Sequence, residues 1–395
     1  MRGTTAAVSL ILSVGATLLA GTGTAHAASA TSESLLGGLA VESWGACEMP
    51  DGWVFVHHDG WTSAGGATGM RLFQGSDASA TAVRTWPRTS PSGRVPDRHH
   101  CVSADFDHNG LTDFYVTAGR GGNNGTKAGG RGNELWLQVS AGVFENHAAA
   151  WGVEDVCGRS HYAATADFDG DGWPDLFVGN AVPRAVTPDP CDAQPGSELS
   201  HLYLNSDGTG FLDATSDWIP AYNGGVRCAV AGQFLGDPAP DLVVCRSAGL
   251  LVLENVPGQG LVDRRVSLGL PATDWRQAAV GDVTGDGTPD LVAATGTAVR
   301  VWPSMRGTPR VVLTTTALRG VALNPAGDIY ALRSARTTNP QDVVLVRAGT
   351  GWSPAWVPDA GGSGDFAMWL EHADAWLVGN GLDDRLGPMQ LVHAA

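Results

Sequence analysis

Apolar and polar positions along the chain form short bursts, and the bursts recur. Seven times an Asp is followed at once by a mostly apolar run: Asp51-GWVFV, Asp113-FYV, Asp175-LFV, Asp241-LVV, Asp290-LVA, Asp328-IYAL and Asp374-AWLV. Successive runs start 62, 62, 66, 49, 38 and 46 residues apart. Each is followed by a second apolar, often alternating segment: Met70–Gln74, Glu134–Gln138, His201–Asn205, Leu250–Glu254, Ala298–Trp302, Asp342–Arg347 and Met389–Val392. Runs this short, separated by Gly-containing turns and without a sustained helical period, predict strands. A recurring unit of about 53 residues predicts a repeat array of small sheets, and a four-stranded propeller blade is the nearest fit. The fold expected is all-β, a seven-bladed β-propeller. Only His393-Ala394-Ala395 follow the last apolar segment. The seventh blade therefore needs an outer strand from the other end of the chain, expected near Leu35–Val41, which closes the ring and leaves no unit to cap.

Composition narrows the function classes. The 395 residues carry 24 Lys+Arg against 40 Asp+Glu, a formal net charge of −16, and Lys127 is the only lysine. Such a surface is a poor general binder of nucleic acid or of anionic membrane. Glycine, at 54 residues, is about twice as frequent as usual, in keeping with many tight turns.

The N-terminus adds a compartment. Arg2 precedes an apolar run from Ala6 to Ala20 and then Thr24-Ala25-His26-Ala27-Ala28. This pattern predicts a secretory signal over residues 1–27, leaving 28–395 as a single domain, secreted and monomeric. The run is shorter than the roughly 20 residues that span a bilayer. Six cysteines lie beyond it without any C-x-x-C spacing, which in an oxidising compartment favours three disulfides over a metal cluster. Strand placement suggests Cys228–Cys245 across one hairpin, Cys157–Cys191 on one face, and Cys47–Cys101 on adjacent inner strands.

Four units carry a further pattern just before the repeated Asp. Asp167-Phe-Asp169-Gly-Asp171-Gly172-Trp-Pro-Asp175 is a full D-x-D-x-D-G-x-x-D loop. Asp105, Asp107, Asn109 and Asp113 repeat the spacing with Asn in the fifth place, and Asp282, Thr284, Asp286 and Asp290 with Thr in the third. Gln233-Phe-Leu235-Gly-Asp237-Pro-Ala-Pro-Asp241 has lost the first two acids and the Gly. Carboxylates this close repel one another unless a cation lies among them. Oxygen-only donors in a tight Gly turn suit calcium better than magnesium, and three structural Ca²⁺ sites are expected. The plainer alternative is a set of Asx-rich turns without metal. An EF-hand would need Glu at position twelve and flanking helices.

These loops and their strands resemble the FG-GAP/VCBS repeats of integrin-α-like β-propellers. The resemblance is carried by Asn133-Glu-Leu-Trp-Leu, Gly142-Val-Phe144, Trp151-Gly152, Ala163-Ala-Thr-Ala-Asp167 through Asn180, and His201-Leu-Tyr-Leu-Asn205 through Thr215. It is strong over residues 101–215, extends to about 302, and fades in units one, six and seven. The Phe-Gly and Gly-Ala-Pro cage words of the integrins themselves are absent. The resemblance implies a calcium-stapled propeller and leaves its activity open.

A ligand site is sought at the starts of the inner strands, on the face away from the acidic loops. Arg98, His99, His100, Arg159, His161, Arg227, Arg276 and Arg319 fall there. Such a ring could bind an anionic or polyhydroxyl ligand, with Arg giving forked hydrogen bonds. Alternatively each Arg pairs with a local acid such as Asp97, Glu154, Asp155 or Asp274. Two long insertions, 119–133 and 181–198, emerge on the same face. Three functions remain: a binding module for extracellular polysaccharide or a surface protein, a polysaccharide lyase or hydrolase using the ring histidines, and an adhesive scaffold. No nucleophile elbow, zinc-protease helix or phosphate loop is present, and no catalytic residue is assigned.

Overall fold

The computed structural model describes residues 30–34, 40–41, 43–57, 70–75, 80–86, 97–119, 132–181, 199–220, 225–246, 248–270, 275–333, 341–357, 366–379 and 387–394. The insertion segments 120–131 and 182–198 lie outside them. Seven antiparallel sheets follow one another along the chain, and six are four-stranded meanders. They span 43–85, 97–146, 160–213, 226–263, 277–314 and 318–356, and are blades one to six.

The inner strands are Ser43–Met49, Asp97–Ala104, Ser160–Ala166, Val226–Gly232, Gln277–Gly281, Leu318–Leu323 and Phe366–Leu370. Each packs against the next, and the last packs against the first. The apolar side chains form seven clusters, one per blade interface. Trp53 and Phe73 of blade one meet Leu370 and Leu377 of blade seven, for example, and Tyr115 of blade two meets Leu176 of blade three. The chain is a closed seven-bladed β-propeller.

Blade packing also explains the texture of the repeated runs. The second strands Asp113–Gly119, Asp175–Asn180, Asp241–Arg246 and Ala375–Gly379 are buried at every position, because a neighbouring blade covers each of their faces. A strand buried on both sides reads as a continuous apolar run. The outer strands Thr81–Thr85 and Arg310–Thr314 are mostly exposed. Trp302 and Trp376 are fully buried between blades, as is Trp53.

The ring closes through both ends of the chain, with a shift from the expected position. The outer strand of blade seven is Ala30–Ser34, in register from Ala30 opposite Ala394 to Ser34 opposite Gln390. Within the expected stretch Leu35–Val41, Ala40 and Val41 also pair, with Pro388 and Gly387, and residues 35–39 lie outside the described ones. The pairing thus also includes a segment nearer the N-terminus than expected, since an outermost strand needs mainly backbone pairing and tolerates the polar residues of 30–34. Deleting residues 28–34 should lower the unfolding free energy by roughly 2–5 kcal/mol, a handful of backbone hydrogen bonds at about 0.5–1.5 kcal/mol each. Chemical denaturation reads this directly, and an unchanged midpoint would show that the 30–34 pairing does not hold the ring.

Disulfides join Cys47 to Cys101 across the inner strands of blades one and two (Cα–Cα 5.4 Å), and Cys228 to Cys245 within blade four (4.9 Å). Cys157 is also disulfide-bonded, and Cys191 lies outside the described residues.

Blade six holds a buried acid. Asp342 accepts hydrogen bonds from the Tyr330 hydroxyl and the Arg333 N–H, both at 2.7 Å. Burial pushes its carboxyl up to about 7. A carboxyl raised on folding stabilises the protein below its unfolded value near 3.8, and that contribution is lost as pH rises through about 7. Asp342→Asn should therefore gain melting temperature relative to the parent protein as pH goes from 5 to 8. A difference independent of pH would show that Asp342 does not titrate in this window.

Candidate metal loops and channel mouth

The repeated Asp is first a structural staple. Asp175 is fully buried; its Oδ2 accepts the Phe168 N–H at 2.7 Å and its Oδ1 the Asn205 N–H at 2.8 Å. Asp113 does the same with Phe106 and Gln138, at 2.8 and 2.7 Å. Asp241 takes the Phe234, Leu235 and Asn255 N–H groups, and Asp290 those of Val283, Thr284 and Ser304. Asp328 accepts from the Arg347 N–H and the Asn324 amide. Each carboxylate thus ties the turn after the inner strand to the end of the third strand. This explains why the Asp persists in blades four and six, whose loops have lost most other acids.

Two loops go further. The carboxylates of Asp105, Asp107 and Asp113 offer oxygens within 4.8 Å of one another, and so do those of Asp167, Asp169 and Asp175. Asp105 accepts the Asn109 and Gly110 N–H groups, Asp107 accepts Asn109, and Asn109 Oδ1 accepts Leu111. Asp167 accepts Gly170 and Gly172, Asp169 accepts Asp171, and Asp171 accepts Trp173. These side-chain-to-backbone bonds curl each loop around its own acids. The curl requires left-handed backbone at Gly110 (φ 86°) and Gly172 (φ 94°), where a side chain would be strained.

Burial and mutual crowding raise the pKa of three of these acids. Burial above all, joined by the charges of Asp105 and Asp107, pushes Asp113 up to about 7. Burial with Asp167 and Asp169 does the same to Asp175, and burial with Asp171 and Asp167 raises Asp169. The donor set fits a hard divalent ion. Asp105, Asp107, Asn109 and Asp113 would hold one, and Asp167, Asp169, Asp171 and Asp175 another.

The loop in blade five differs. Asp282 accepts Gly285, Asp286 and Gly287 N–H groups and Asp286 accepts Thr288, but this loop is not among the groups of three converging acids found in the described residues. Thr284 replaces one acid, and the Arg347 guanidinium lies so close over Gly285 that an added Cβ would sit 2.5 Å from its Nη1.

Neighbouring loops are also latched together by residues whose role the sequence did not reveal. Asn205 of blade three donates to the Phe106 carbonyl of blade two at 2.9 Å, and Asn255 of blade four to the Phe168 carbonyl of blade three at 2.7 Å. An Asn ending the third strand of two successive units was the available signal.

At the opposite mouth, the eight ring residues separate into distinct environments. Arg98 is buried and forks onto Glu134, its Nε 2.9 Å and its Nη2 3.0 Å from the carboxylate. It is thereby removed from the ligand ring, and its acid is one the sequence did not single out. His99 is buried and stacks on His161 of the next blade, centroids 4.1 Å apart and planes 15° apart. His100 faces the Ala163 N–H at 3.4 Å, and burial, with the nearby His99, lowers its pKa to about 4. It is therefore neutral at physiological pH. Arg159, Arg227, Arg276 and Arg319 are half-buried at the starts of four successive inner strands, and the first three already contact other groups.

Comparison with known proteins agrees with this geometry. Residues 105–178 match the family model of the FG-GAP-like repeat, which covers the two converging acidic loops. Among solved structures, the extracellular domain of BT3049 from B. thetaiotaomicron, described as a hybrid two component system, is similar over 91% of this chain. Identity is 12%, the TM-score is 0.51, and the match covers 40% of that protein's chain. U3-55K is similar over 91% of this chain and all of its own, at 8% identity and a TM-score of 0.55. Chaetomium thermophilum Raptor matches over 91% of this chain and 29% of its own, at 10% identity and 0.51. At these identities the likeness shows the propeller fold alone. No curated protein is significantly similar to the chain. The protein is a seven-bladed β-propeller carrying FG-GAP-like repeat sequence in blades two and three.

Proposed function

We propose that this protein is a secreted, calcium-stabilised binding module whose channel mouth receives an extracellular polysaccharide or a surface protein. The observation that carries the reading is the line of Arg159, His161, Arg227, Arg276 and Arg319 at the starts of four successive inner strands, in a chain of net charge −16. Guanidinium groups recognise carboxylates and hydroxyls by forked hydrogen bonds. Bridged cysteines support an oxidising compartment. Cleavage after Ala27 would leave two residues before the strand that closes the ring. Among the described residues no helix is long and apolar enough to cross a membrane. Two Ca²⁺ ions, in the loops of blades two and three, serve as structural staples in this reading.

The test is affinity electrophoresis of the mature protein through neutral and uronic-acid polysaccharides, with calcium and with chelator. Retardation in one polysaccharide, lost in an Arg276→Ala/Arg319→Ala variant of unchanged melting temperature, is expected. Free migration through all of them would overturn the carbohydrate form of the proposal and leave a protein partner to be sought by pull-down.

A further inference from the structure

A cavity of about 570 Å³ opens between blades four and five, on the side of the acidic loops and away from the channel mouth. Its volume falls in the range of small-molecule sites. Leu235, Glu254, Arg264, Ser267, Leu268 and Arg306 line it. Leu235 stands in the third place of the degenerate loop, where Asp107 and Asp169 stand in blades two and three. Losing that acid removes negative charge from this wall, and two arginines face the space.

One arginine is anchored by an ion pair and the other follows a fixed turn. Glu254 engages the Nε of Arg264, and both side chains line the cavity. Arg306 is exposed and follows two successive non-glycine residues in the left-handed region, Ser304 (φ 48°) and Met305 (φ 55°). Such a turn is strained and persists only where its surroundings enforce it. Here Ser304 donates its N–H to the staple Asp290 at 2.8 Å, and Met305 is fully buried in the core of blades four and five. The strain places Arg306 at the rim.

We infer that this cavity is a second ligand site, for a singly charged, hydroxylated carboxylate such as the uronic acid residue of an oligosaccharide. Two guanidinium groups against one carboxylate leave a net single positive charge, which matches a monoanion; Glu254 disfavours a sulfate or phosphate dianion. The guest carboxylate forks onto Arg306 and the outer edge of Arg264. Guest hydroxyls meet Glu254 and Ser267, and its C–H face rests on Leu235 and Leu268.

Isothermal titration of the mature protein with galacturonate, its methyl ester and sulfate tests the site. Galacturonate should bind, with the ester and sulfate at least tenfold weaker. Arg306→Gln should weaken galacturonate at least tenfold with no change in melting temperature, and Arg306→Lys should restore part of the affinity. Arg276→Ala/Arg319→Ala should leave this binding intact, which separates the cavity from the channel mouth. No binding, equal binding of the ester, or full affinity in Arg306→Gln would each overturn the inference.

Discussion

Asp175→Ala is expected to lower the unfolding free energy by roughly 2–6 kcal/mol even in chelator, and by more in calcium, where a ligand is lost as well. The reason lies in two backbone N–H groups, of Phe168 and Asn205, that have the buried Asp175 carboxylate as acceptor. Each buried donor left without a partner costs about 1–3 kcal/mol, whatever ion is present. Asp169→Ala is the control. Its carboxylate is exposed, and burial and its neighbours Asp171 and Asp167 already disfavour its charge. In chelator its removal should be neutral or slightly stabilising, whereas in calcium it should destabilise, because a ligand is gone. Denaturant titrations of both variants in both conditions decide the matter. If Asp169→Ala is equally harmless with and without calcium, loop 167–175 is an Asx-rich turn and not a metal site.

Glu134→Ala should cost about 3–5 kcal/mol, since it strips the forked acid from an Arg98 that is 1% exposed and strands a buried charge. The Trp136 indole N–H loses its acceptor as well. Arg98→Met/Glu134→Leu should recover most of that loss, because replacing a buried ion pair with apolar groups of similar volume is often close to neutral. A double variant as unstable as the single would mean that the pair does more than balance its own charges, for instance by setting the packing beneath the His99–His161 stack.

Much of the fold was legible because it is repetitive. Asp followed by an apolar run marked the second strand of each blade, and its recurrence announced seven units. The acidic loops were legible because their spacing is local: nine residues place Asp167, Asp169 and Asp175 together whatever the rest of the chain does. The closing strand was displaced by several residues, since Ala30–Ser34 has no apolar signature and is recruited by the open edge of residues 390–394. The spacing 282–290 pointed to a third cation loop. The Arg347 side chain that lies over it comes from another blade, more than fifty residues on in the chain.

By itself, then, the amino-acid sequence determined the repeat, the blade number and the acidic loops, because periodicity and short-range spacing survive without knowledge of neighbours. Only the tertiary structure decided which charges are spent inside the protein and which face outward. Arg98 and Glu134 are 36 residues apart yet form a buried fork. His99 and His161 stack across a blade boundary. Arg264 and Arg306 share one cavity because blade four packs against blade five. Contacts between blades depend on how the ring closes, and ring closure is a property of the whole chain that no local pattern carries.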